Sequence, residues 1–585
     1  MIHSDKSILR IVKHNYLFLL VFILIVALRF VWLDRFPPGM QHDEVEYALS
    51  SKTYELFGTD LSGSSFPLSL FKTNTLGRIS PIPPLVLAPL WKIIPLTMQT
   101  IRIMYVSLNI LTSLAFGWFL LTLFKNKKIV FLGIILFLLN PWSLFLSRLA
   151  IDVAFSLLFY LVGITFLLQT YKHKYFLSFV FFMLGFFSYN GAKLLLFPIV
   201  SIILLYEFYS SGCKKKNIVS SLKYLILIFG VIVSFVLVSK ALPNSILNSR
   251  SNEIVFLNND FLSQNVDQLR NQIVHTPFTN IVVNKITFTI RFFVQNYFLA
   301  FSPQQLFFVG EFFRYHGYFY LLDLPFLLLG VLFLYKTDKK ISLLLIIIAL
   351  LSPIATASSL SGISILNRSF LLLPIFLAWI AYGIHYSYQL LIRNISKTLA
   401  TVLLGIPYLF LFSNLLFTYF IQLPIHEHGF YQVSSRVLAK YLLLEKDHAK
   451  KIIVTSNEPR QIYLESIFFS TPEKQRELLK EKQTYKIKSA YSLENISFIL
   501  GCPNEFNENY IYVISKDYSD CIPPNKVNYL IIDQLDAGHD YQIAGGKLCN
   551  EYSLTRWRNS HFISDYSIEQ MQEKEFCERW IANNK

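Results

Sequence analysis

Long apolar runs separated by short polar connections fill most of the first 420 residues of the chain. On the rule that a helix needs about 20 mostly apolar residues to cross a bilayer, about eleven runs qualify as membrane spans. They lie at roughly 15–33, 101–124, 129–147, 152–170, 175–189, 192–209, 220–240, 318–336, 341–357, 367–388 and 398–420. The pattern therefore predicts an α-helical polytopic membrane protein.

The segment Pro81–Leu96 decides the topology. It is apolar, but it is short and contains five prolines, so we predict a juxtamembrane helix or hairpin along the outer membrane surface. If it does not cross, all the Lys/Arg clusters between the spans fall on one side, which the positive-inside rule makes cytoplasmic. The amino terminus is then cytoplasmic, and loops 34–100 and 241–317 and the tail 421–585 are exterior. We expect a multi-pass protein of the cell (plasma or inner) membrane.

The pattern changes after residue 424. A helix-like stretch at 433–451 is followed by short apolar runs at 451–455, 510–514 and 527–533. Strands that alternate with helical stretches are typical of an α/β domain. We therefore divide the chain into a transmembrane domain, 1–424, and a small exterior α/β domain, 425–585.

Cysteine usage agrees with an exterior tail. Four of the five cysteines, Cys502, Cys521, Cys549 and Cys577, lie in the tail, and an even number suits disulfides in an oxidising compartment. Four cysteines allow three pairings, of which we favour the local pairs Cys502–Cys521 and Cys549–Cys577. A zinc site fits less well, because the spacings are wide and no C-x-x-C pair occurs.

Composition excludes two other classes. With 54% hydrophobic residues, 15% charged residues and a mean hydropathy of +0.45, the chain is too apolar for a soluble protein of 585 residues. The formal net charge of +16 would suggest nucleic acid in a soluble protein. Here the basic residues cluster in short loops between apolar runs, so membrane topology explains them and no nucleic-acid partner is expected. The first run lacks a small-residue cleavage site and is interpreted as a retained helix.

The candidate chemistry begins directly after the first span. The break Pro37–Pro38–Gly39 precedes Asp43 and Glu44 in the exterior loop 34–100. In the next exterior turn, Arg148 and Asp152 are four residues apart, and we predict that they occupy one helix face. They form either an interfacial ion pair that anchors helix ends or part of a site, since an acidic residue at the membrane is a site hypothesis by default. Asp43 and Asp152 emerge on the same side of the membrane, where one could accept a proton and the other orient a donor or hold a metal.

Further exterior polar residues are consistent with an anionic ligand, although single basic residues at an interface commonly only snorkel. Arginine or lysine near a helix amino terminus is well suited to hold a phosphate. The residues concerned are Tyr189, Asn190, Lys193, Arg314, His316 and Arg368.

The order of these features resembles the polytopic GT-C glycosyltransferases, in particular the protein O-mannosyltransferase and aminoarabinose-transferase-like group. The similarity covers about residues 10–425 and lies in the stretches PPGMQHDEVEYALS, SPIPPLVLAPL, NPWSLFLSRLAIDVAF, SYNGAKLLLFP, GYFYLLDLPFLLLG and NRSFLLLPIFLAWIAYG. The group implies transfer of a hexosyl or pentosyl group from a polyprenyl-phosphate-linked donor, with inversion at the anomeric carbon. The acceptor is a hydroxyl of a protein, lipid or glycan.

The resemblance also implies residue roles. Asp43 is the base that deprotonates the acceptor, Glu44 supports it, and Asp152 matches the second acidic position. Arg148, Lys193 and Arg368, with Arg314 and His316, are candidates for the donor phosphate. His42, which replaces an aromatic residue of the group, is placed with Tyr189 and Asn190 as substrate-binding.

Some alternatives stay open at this point. Asp43 and Asp152 could share a divalent cation, and no other cofactor is expected. A transporter or flippase of lipid-linked saccharides would show internal repeats and charged residues in mid-helix, and neither is clear here. A ligase or polymerase of lipid-linked saccharides would use a large exterior loop but not an Asp–Glu pair after the first helix. The absence of a nucleotide-binding Gly-rich loop agrees with a lipid-linked donor.

Overall fold

A computed structural model of the chain describes most of its length. The described residues are 19–71, 79–210, 215–242, 245, 254, 256, 258–274, 276–310, 316–360, 365–427, 429–482, 488–521, 523, 529–534, 538–550 and 562–583. They form two compact units, each discontinuous in sequence. Unit 1 takes its described residues from 1–31, 105–147 and 152–416, and unit 2 from 32–104, 148–151 and 417–585.

Helices make up most of the described chain. In chain order they are α1 (Leu19–Arg29), α2 (His42–Phe57), α3 (Ile82–Leu87), α4 (Met98–Phe124), α5 (Lys127–Leu139), α6 (Pro141–Arg148), α7 (Val153–Leu168), α8 (Lys174–Ser188), α9 (Lys193–Ser210), α10 (Lys215–Ala241), α11 (Asn259–Asn271), α12 (Thr279–Val282), α13 (Lys285–Leu299), α14 (Asp323–Thr337), α15 (Lys339–Leu351), α16 (Ile354–Ala357), α17 (Ile365–Arg368), α18 (Leu372–Leu391), α19 (Lys397–Phe417), α20 (Leu423–His426), α21 (Val433–Glu445), α22 (Pro459–Phe468), α23 (Pro472–Lys480) and α24 (Glu573–Trp580).

Each predicted span coincides with a helix or a helix pair, which confirms the helical polytopic class. Among the described residues, five helices are long and apolar enough to cross a membrane, or six if the bent pair α5–α6 counts as one span. Several others, such as α7 and α8, are apolar but shorter, so the count of eleven crossings stays a prediction. In Pro81–Leu96 the α-helix covers only Ile82–Leu87, followed by a 3-10 turn at Ala88–Lys92, far shorter than a span.

A buried arginine stabilises the 59° bend between α5 and α6 in unit 1. The guanidinium of Arg29 donates to the backbone carbonyls of Leu138 and Ser143 and to the hydroxyl of Ser147. A break in a helix frees backbone carbonyls, and in an apolar environment these need donors. Arg29, at the end of the first helix, therefore supports the helix that leads to Arg148.

Small residues allow the closest helix contact in unit 1, between α14 and α18. A Cβ on Gly330 or on Gly383 would collide with backbone carbonyl oxygens of the facing helix, those of Trp379 and Phe326. Interfaces of this kind are typical of membrane helices, where close packing replaces the hydrophobic driving force.

The tail of unit 2 folds around a seven-stranded mixed sheet. Its strands are β1 (Ile452–Thr455), β2 (Ala490–Leu493), β3 (Ile496–Ile499), β4 (Ile511–Ser515), β5 (Tyr529–Gln534), β6 (Gly538–Ala544) and β7 (Ala582–Asn583), in the order β2-β3-β1-β4-β6-β5-β7. The apolar, fully buried β1 pairs in parallel with β3 and β4, and the other pairings are antiparallel. The α/β prediction is confirmed, and β1, β4 and β5 correspond to the three predicted apolar runs.

Two disulfides close loops of this sheet region. Cys502 bonds to Cys521 and Cys549 to Cys577, which are the two local pairs favoured from the sequence. The compact unit 2 combines the tail with segments 32–104 and 148–151. The two predicted domains, 1–424 and 425–585, are by contrast each continuous in sequence.

Candidate active site

The first turn of α2 separates the two acidic residues of the Asp–Glu pair. Asp43 is exposed, while Glu44 is fully buried. Gln41, in an extended conformation, is the residue before the helix, and its backbone N–H donates to Glu44 Oε2 at 2.9 Å. Carboxylates in a first turn also complement the positive end of the helix dipole. The two residues therefore lie in different environments, although they are adjacent in sequence.

Glu44 holds a second chain segment against the helix. Its Oε1 accepts the backbone N–H of Ala150 at 2.7 Å, which ties residues 148–151 to the start of α2. Burial raises the pKa of Glu44, while the Arg102 charge and the two N–H donors oppose that rise. With both oxygens occupied by backbone donors, Glu44 fixes residues 148–151 to the start of α2.

The loop that leads into α2, residues 33–39, is held by a buried arginine at the start of α4. Arg102 donates to the carbonyls of Leu33 at 3.1 Å, Pro37 at 2.8 Å and Gly39 at 2.5 Å. Its side chain is completely inaccessible to solvent. One guanidinium carries five N–H donors in a fixed plane, so it can satisfy several carbonyls of an irregular loop at once.

Two further arginines bind other carbonyls of the same loop. Arg148 is fully buried, donates to the Phe36 carbonyl at 3.2 Å and lies over the Tyr419 and Phe420 rings, 5.4 and 5.0 Å from their centroids. Arg436, on α21, donates to the Pro38 carbonyl.

Arg436 also anchors the carboxyl-terminal part of unit 2. Its guanidinium donates to Glu569 at 2.7 and 2.5 Å and to the carbonyl of Tyr566 at 3.1 Å. Such bidentate pairing with a carboxylate fixes the orientation of the guanidinium plane. The loop before Asp43 is consequently joined to the tail through this side chain.

Gly39 is required by a close approach of two backbones. A Cβ at this position would lie 2.0 Å from the carbonyl oxygen of Tyr431, which no side chain can tolerate without a backbone shift. The glycine of the Pro-Pro-Gly break therefore serves packing as well as the turn.

His42, the first residue of α2, lies between two glutamates. Its Nδ1 is 3.0 Å from Glu465 Oε1 and its Nε2 is 3.2 Å from Glu458 Oε2. Burial lowers the pKa of His42, but the two hydrogen bonds and charges of these glutamates outweigh it and raise the pKa to about 10. An imidazole that donates from both nitrogens is an imidazolium, so a fixed positive charge adjoins Asp43 in sequence. Beside it, Arg460 pairs with Glu46 and ties α22 to α2 a second time.

The structure corrects one geometric expectation. Arg148 and Asp152 do not share a helix face, because α6 ends at Arg148 and α7 begins at Val153. Asp152 is the residue before α7, and its backbone carbonyl accepts the N–H of Phe155 at 3.2 Å. Residues 149–151 leave the helical path, and the N–H of Ala150 thereby becomes available to Glu44.

The remaining predicted residues of unit 1 form local groups. Lys193 Nζ donates to Asn190 Oδ1 at 2.5 Å and lies 4.8 Å from the centroid of the Phe235 ring, with Tyr189 in the same turn. His316 is buried and 3.3 Å from the Asn414 amide. Arg368 ends the short helix α17 and is half-buried, and Arg314 lies outside the described residues.

A metal-binding cluster is not evident in the described part of the chain. There, no three His, Cys, Asp or Glu side chains are grouped so that they could hold a metal ion. Asp43 belongs to unit 2 and Asp152 to unit 1. A divalent cation shared by the two stays a prediction.

Sequence reasoning missed several residues that support Asp43. Arg102 interrupts an apolar run at the start of a predicted span, and that interruption is a usable signal. Arg436 and Glu465 lie on ordinary mixed helices of the tail, where no pattern distinguishes them. Only the tertiary contacts reveal their role.

Comparisons with known proteins give structural matches at low similarity. No protein-family model and no curated protein sequence matches the chain. Among solved structures, ArnT from Cupriavidus metallidurans bound to undecaprenyl phosphate is 9% identical, with a TM-score of 0.48, over 91% of this chain and 98% of that one. The apo oligosaccharyltransferase of Archaeoglobus fulgidus is 11% identical, with a TM-score of 0.44, over 78% of this chain and 64% of that one.

The chain spans slightly less than two thirds of the Archaeoglobus enzyme. All the TM-scores above are below 0.5, so the likeness alone decides neither activity nor substrate.

Proposed function

We propose that this protein is an inverting glycosyltransferase that moves a sugar from a polyprenyl-phosphate-linked donor to an acceptor hydroxyl on the exterior face of the membrane. The observation that carries the proposal is the division of the Asp–Glu pair. Asp43 is exposed at the start of a helix, and the preceding loop is fixed by Arg102, Arg148 and Arg436. A carboxylate held in this way suits a general base, which depends on position more than on basicity.

The proposed reaction needs one proton acceptor. Asp43 takes the proton of the acceptor hydroxyl as its oxygen forms a bond to the anomeric carbon. The bond from that carbon to the phosphate oxygen breaks on the opposite side, and the electron pair leaves with the polyprenyl phosphate. Phosphate is already a good leaving group, so cationic groups that stabilise it replace a strong general acid.

Candidate groups for the donor phosphate are Arg148, Lys193 and Arg368, with His316 and Arg314. Arg148 already donates a hydrogen bond to the Phe36 carbonyl, so binding to the phosphate would be an additional role of this side chain. Lys193, at the amino-terminal end of α9, is placed as phosphate-binding groups commonly are.

Exterior location of the tail has independent support. Two disulfides lie in this region, and disulfides persist in oxidising compartments outside the cytoplasm. Together with the positive-inside pattern, they favour a cytoplasmic amino terminus and an exterior acceptor, which is a protein, lipid or glycan hydroxyl.

The test is sugar transfer from a panel of polyprenyl-phosphate sugars in membranes that contain the wild-type chain or the Asp43→Asn variant. We expect transfer by the wild type and a loss of about 10²-fold or more in the variant at equal protein level. Asp517→Asn is a matched control, because Asp517 is an exposed aspartate of the same unit at the start of a short 3-10 turn.

Unchanged transfer by Asp43→Asn would refute Asp43 as the base and make Asp152 the next candidate. If the wild type transfers from none of the donors, the transferase proposal fails and a carrier of lipid-linked saccharides becomes the better explanation.

A further inference from the structure

A cavity of about 530 Å³ lies within unit 2, and its lining includes no residue of α2. It is bordered by the start of α4, the end of α21, the connection between α22 and α23, and the 3-10 turn Ile568–Gln570. Its volume is in the range of about 300–1,000 Å³ that is typical of small-molecule sites. We call it the α21–α23 cavity.

One side of the cavity is apolar. Leu443 and Leu444 from α21 face it together with Phe468 and Phe469 at the end of α22. Phe468 is almost fully buried, whereas Phe469 is half-buried, so an aromatic ring is accessible from the cavity. Apolar and aromatic walls of this kind supply most of the contact area in ligand sites.

Three lysines line the same space: Lys440, Lys446 and Lys474. Lys446 and Lys474 share a single carboxylate, that of Glu494, at 2.8 and 2.6 Å. Lys440 donates at 3.3 Å to the backbone carbonyl of Glu569 rather than to a carboxylate. The positive charge of the three lysines therefore exceeds the negative charge of the carboxylate that pairs with them.

The carboxylates at the cavity have partners of their own. Glu569 is paired with Arg436, and Asp34 lies 3.4 Å from Arg35. With Glu494 and with Asp447, whose charge acts on Lys474, these groups amount to five cationic side chains and four carboxylates, a surplus of one positive charge. A site with such a surplus attracts an anionic group.

Neutral hydrogen-bonding groups complete the lining. Gln99, Thr471 and Gln570 border the cavity, and their side chains are exposed. Amides and hydroxyls both donate and accept hydrogen bonds, as ligand hydroxyls require.

We propose that the α21–α23 cavity binds a saccharide that carries a phosphate or a carboxylate group. The lysines would hold the acidic group, the amides and the threonine the sugar hydroxyls, and the accessible Phe469 ring the apolar C–H face of the sugar. A bare inorganic anion would leave the apolar wall and the amides unused, and a neutral sugar would leave the surplus charge unused. Asp43 and Glu44 do not line this cavity, so the inference goes beyond the proposed transfer reaction.

The experiment is titration calorimetry on the full-length protein in detergent, without any lipid-linked donor. The probes are glucose 6-phosphate, glucuronate, glucose and inorganic phosphate. We expect saturable binding of one or both anionic sugars, and binding of glucose and of phosphate weaker by about tenfold or more, the equivalent of one charge-assisted hydrogen bond. Comparison of glucose 6-phosphate with glucuronate shows whether the cavity prefers a phosphate or a carboxylate group.

Variants locate the site. Lys440→Gln and Lys474→Gln should each weaken binding by about tenfold, whereas Lys440→Arg should retain it because the charge remains. Lys480→Gln is the matched control, since Lys480 is an exposed lysine on α23 that does not line the cavity. The melting temperature of each variant is measured in parallel, and Lys440→Arg keeps the test interpretable if a glutamine variant unfolds.

Several results would overturn the proposal. These are no saturable binding of either anionic sugar, equal affinity for glucose, equal affinity for inorganic phosphate, or an equal loss in Lys480→Gln. Because no transfer is measured, these results do not depend on whether Asp43 is a base.

Discussion

Replacing Glu44 with glutamine tests whether this buried carboxylate fixes the start of α2. Each carboxylate oxygen accepts a different backbone N–H, that of Gln41 at 2.9 Å and that of Ala150 at 2.7 Å. In Glu44→Gln one oxygen becomes an NH₂ group, which can only donate. One of the two N–H groups then faces a second donor in a site without access to water.

The size of the effect follows from these contacts. A hydrogen bond to a charged group contributes about 1.5–3 kcal/mol, and a buried N–H left without an acceptor costs about 1–3 kcal/mol. Burial raises the pKa of Glu44, so relief of the buried charge offsets part of that cost. We expect a net destabilisation of about 2 kcal/mol on this basis. Because Asp43 is the adjacent residue, a displacement on the order of 1 Å should also lower transfer by about 10²-fold.

The assay combines thermal unfolding of the full-length protein in detergent, followed by tryptophan fluorescence, with the transfer assay. Glu473→Gln, an exposed glutamate in the first turn of α23, is the control and should change stability by less than about 0.5 kcal/mol. Asp43→Asn should lose transfer with a smaller fall in melting temperature than Glu44→Gln, which should lose both transfer and stability. A Glu44→Gln variant with wild-type melting and transfer would refute the positioning role.

Three further variants probe the same unit. Gly39→Ala should lower stability by about 1–3 kcal/mol and reduce transfer, because its Cβ would lie 2.0 Å from the Tyr431 carbonyl oxygen. Cys577→Ser removes the disulfide to Cys549, which closes a separation of 28 residues, and should cost about 3–4 kcal/mol in thermal unfolding. The pKa of His42, about 10 against an ordinary 6.5, means that its stabilisation is complete below pH 6.5 and is lost as the pH rises through 10. In His42→Gln this fall in melting temperature between pH 7 and 10 should be absent.

Matched controls separate these effects from general perturbation. Gly230→Ala, within α10, adds a Cβ that meets no atom within 4 Å and should not destabilise the protein. His448→Gln, at an exposed histidine, should retain the wild-type pH dependence. Reductant should lower the melting temperature of the wild type more than that of Cys577→Ser. Equal behaviour of variant and control in any of these pairs would contradict the corresponding contact.

Local patterns in the sequence were sufficient to predict the coarse architecture of the protein. Apolar runs placed the helices because the membrane and the helix period act on nearby residues. Three of the strands were evident as short apolar runs, but β2, β3, β6 and β7 were not. β2, β3 and β6 are only partly apolar, and β7 is only two residues long. The expected helix face shared by Arg148 and Asp152 was wrong, because a break at 149–151 leaves no local signature as clear as a proline.

By itself, the sequence determined the polytopic helical class, the α/β tail and the candidate pair Asp43 and Glu44. Only the tertiary structure selected one of the three possible cysteine pairings. Only the tertiary structure decided that these two carboxylates differ, one exposed and one buried against Ala150. It also decided that Arg102 and Arg436 fix the loop before them. The physical reason is the range of the interactions. Hydrophobic periodicity is a property of neighbouring residues, whereas burial and hydrogen-bond partners depend on residues separated by as many as 423 positions along the chain.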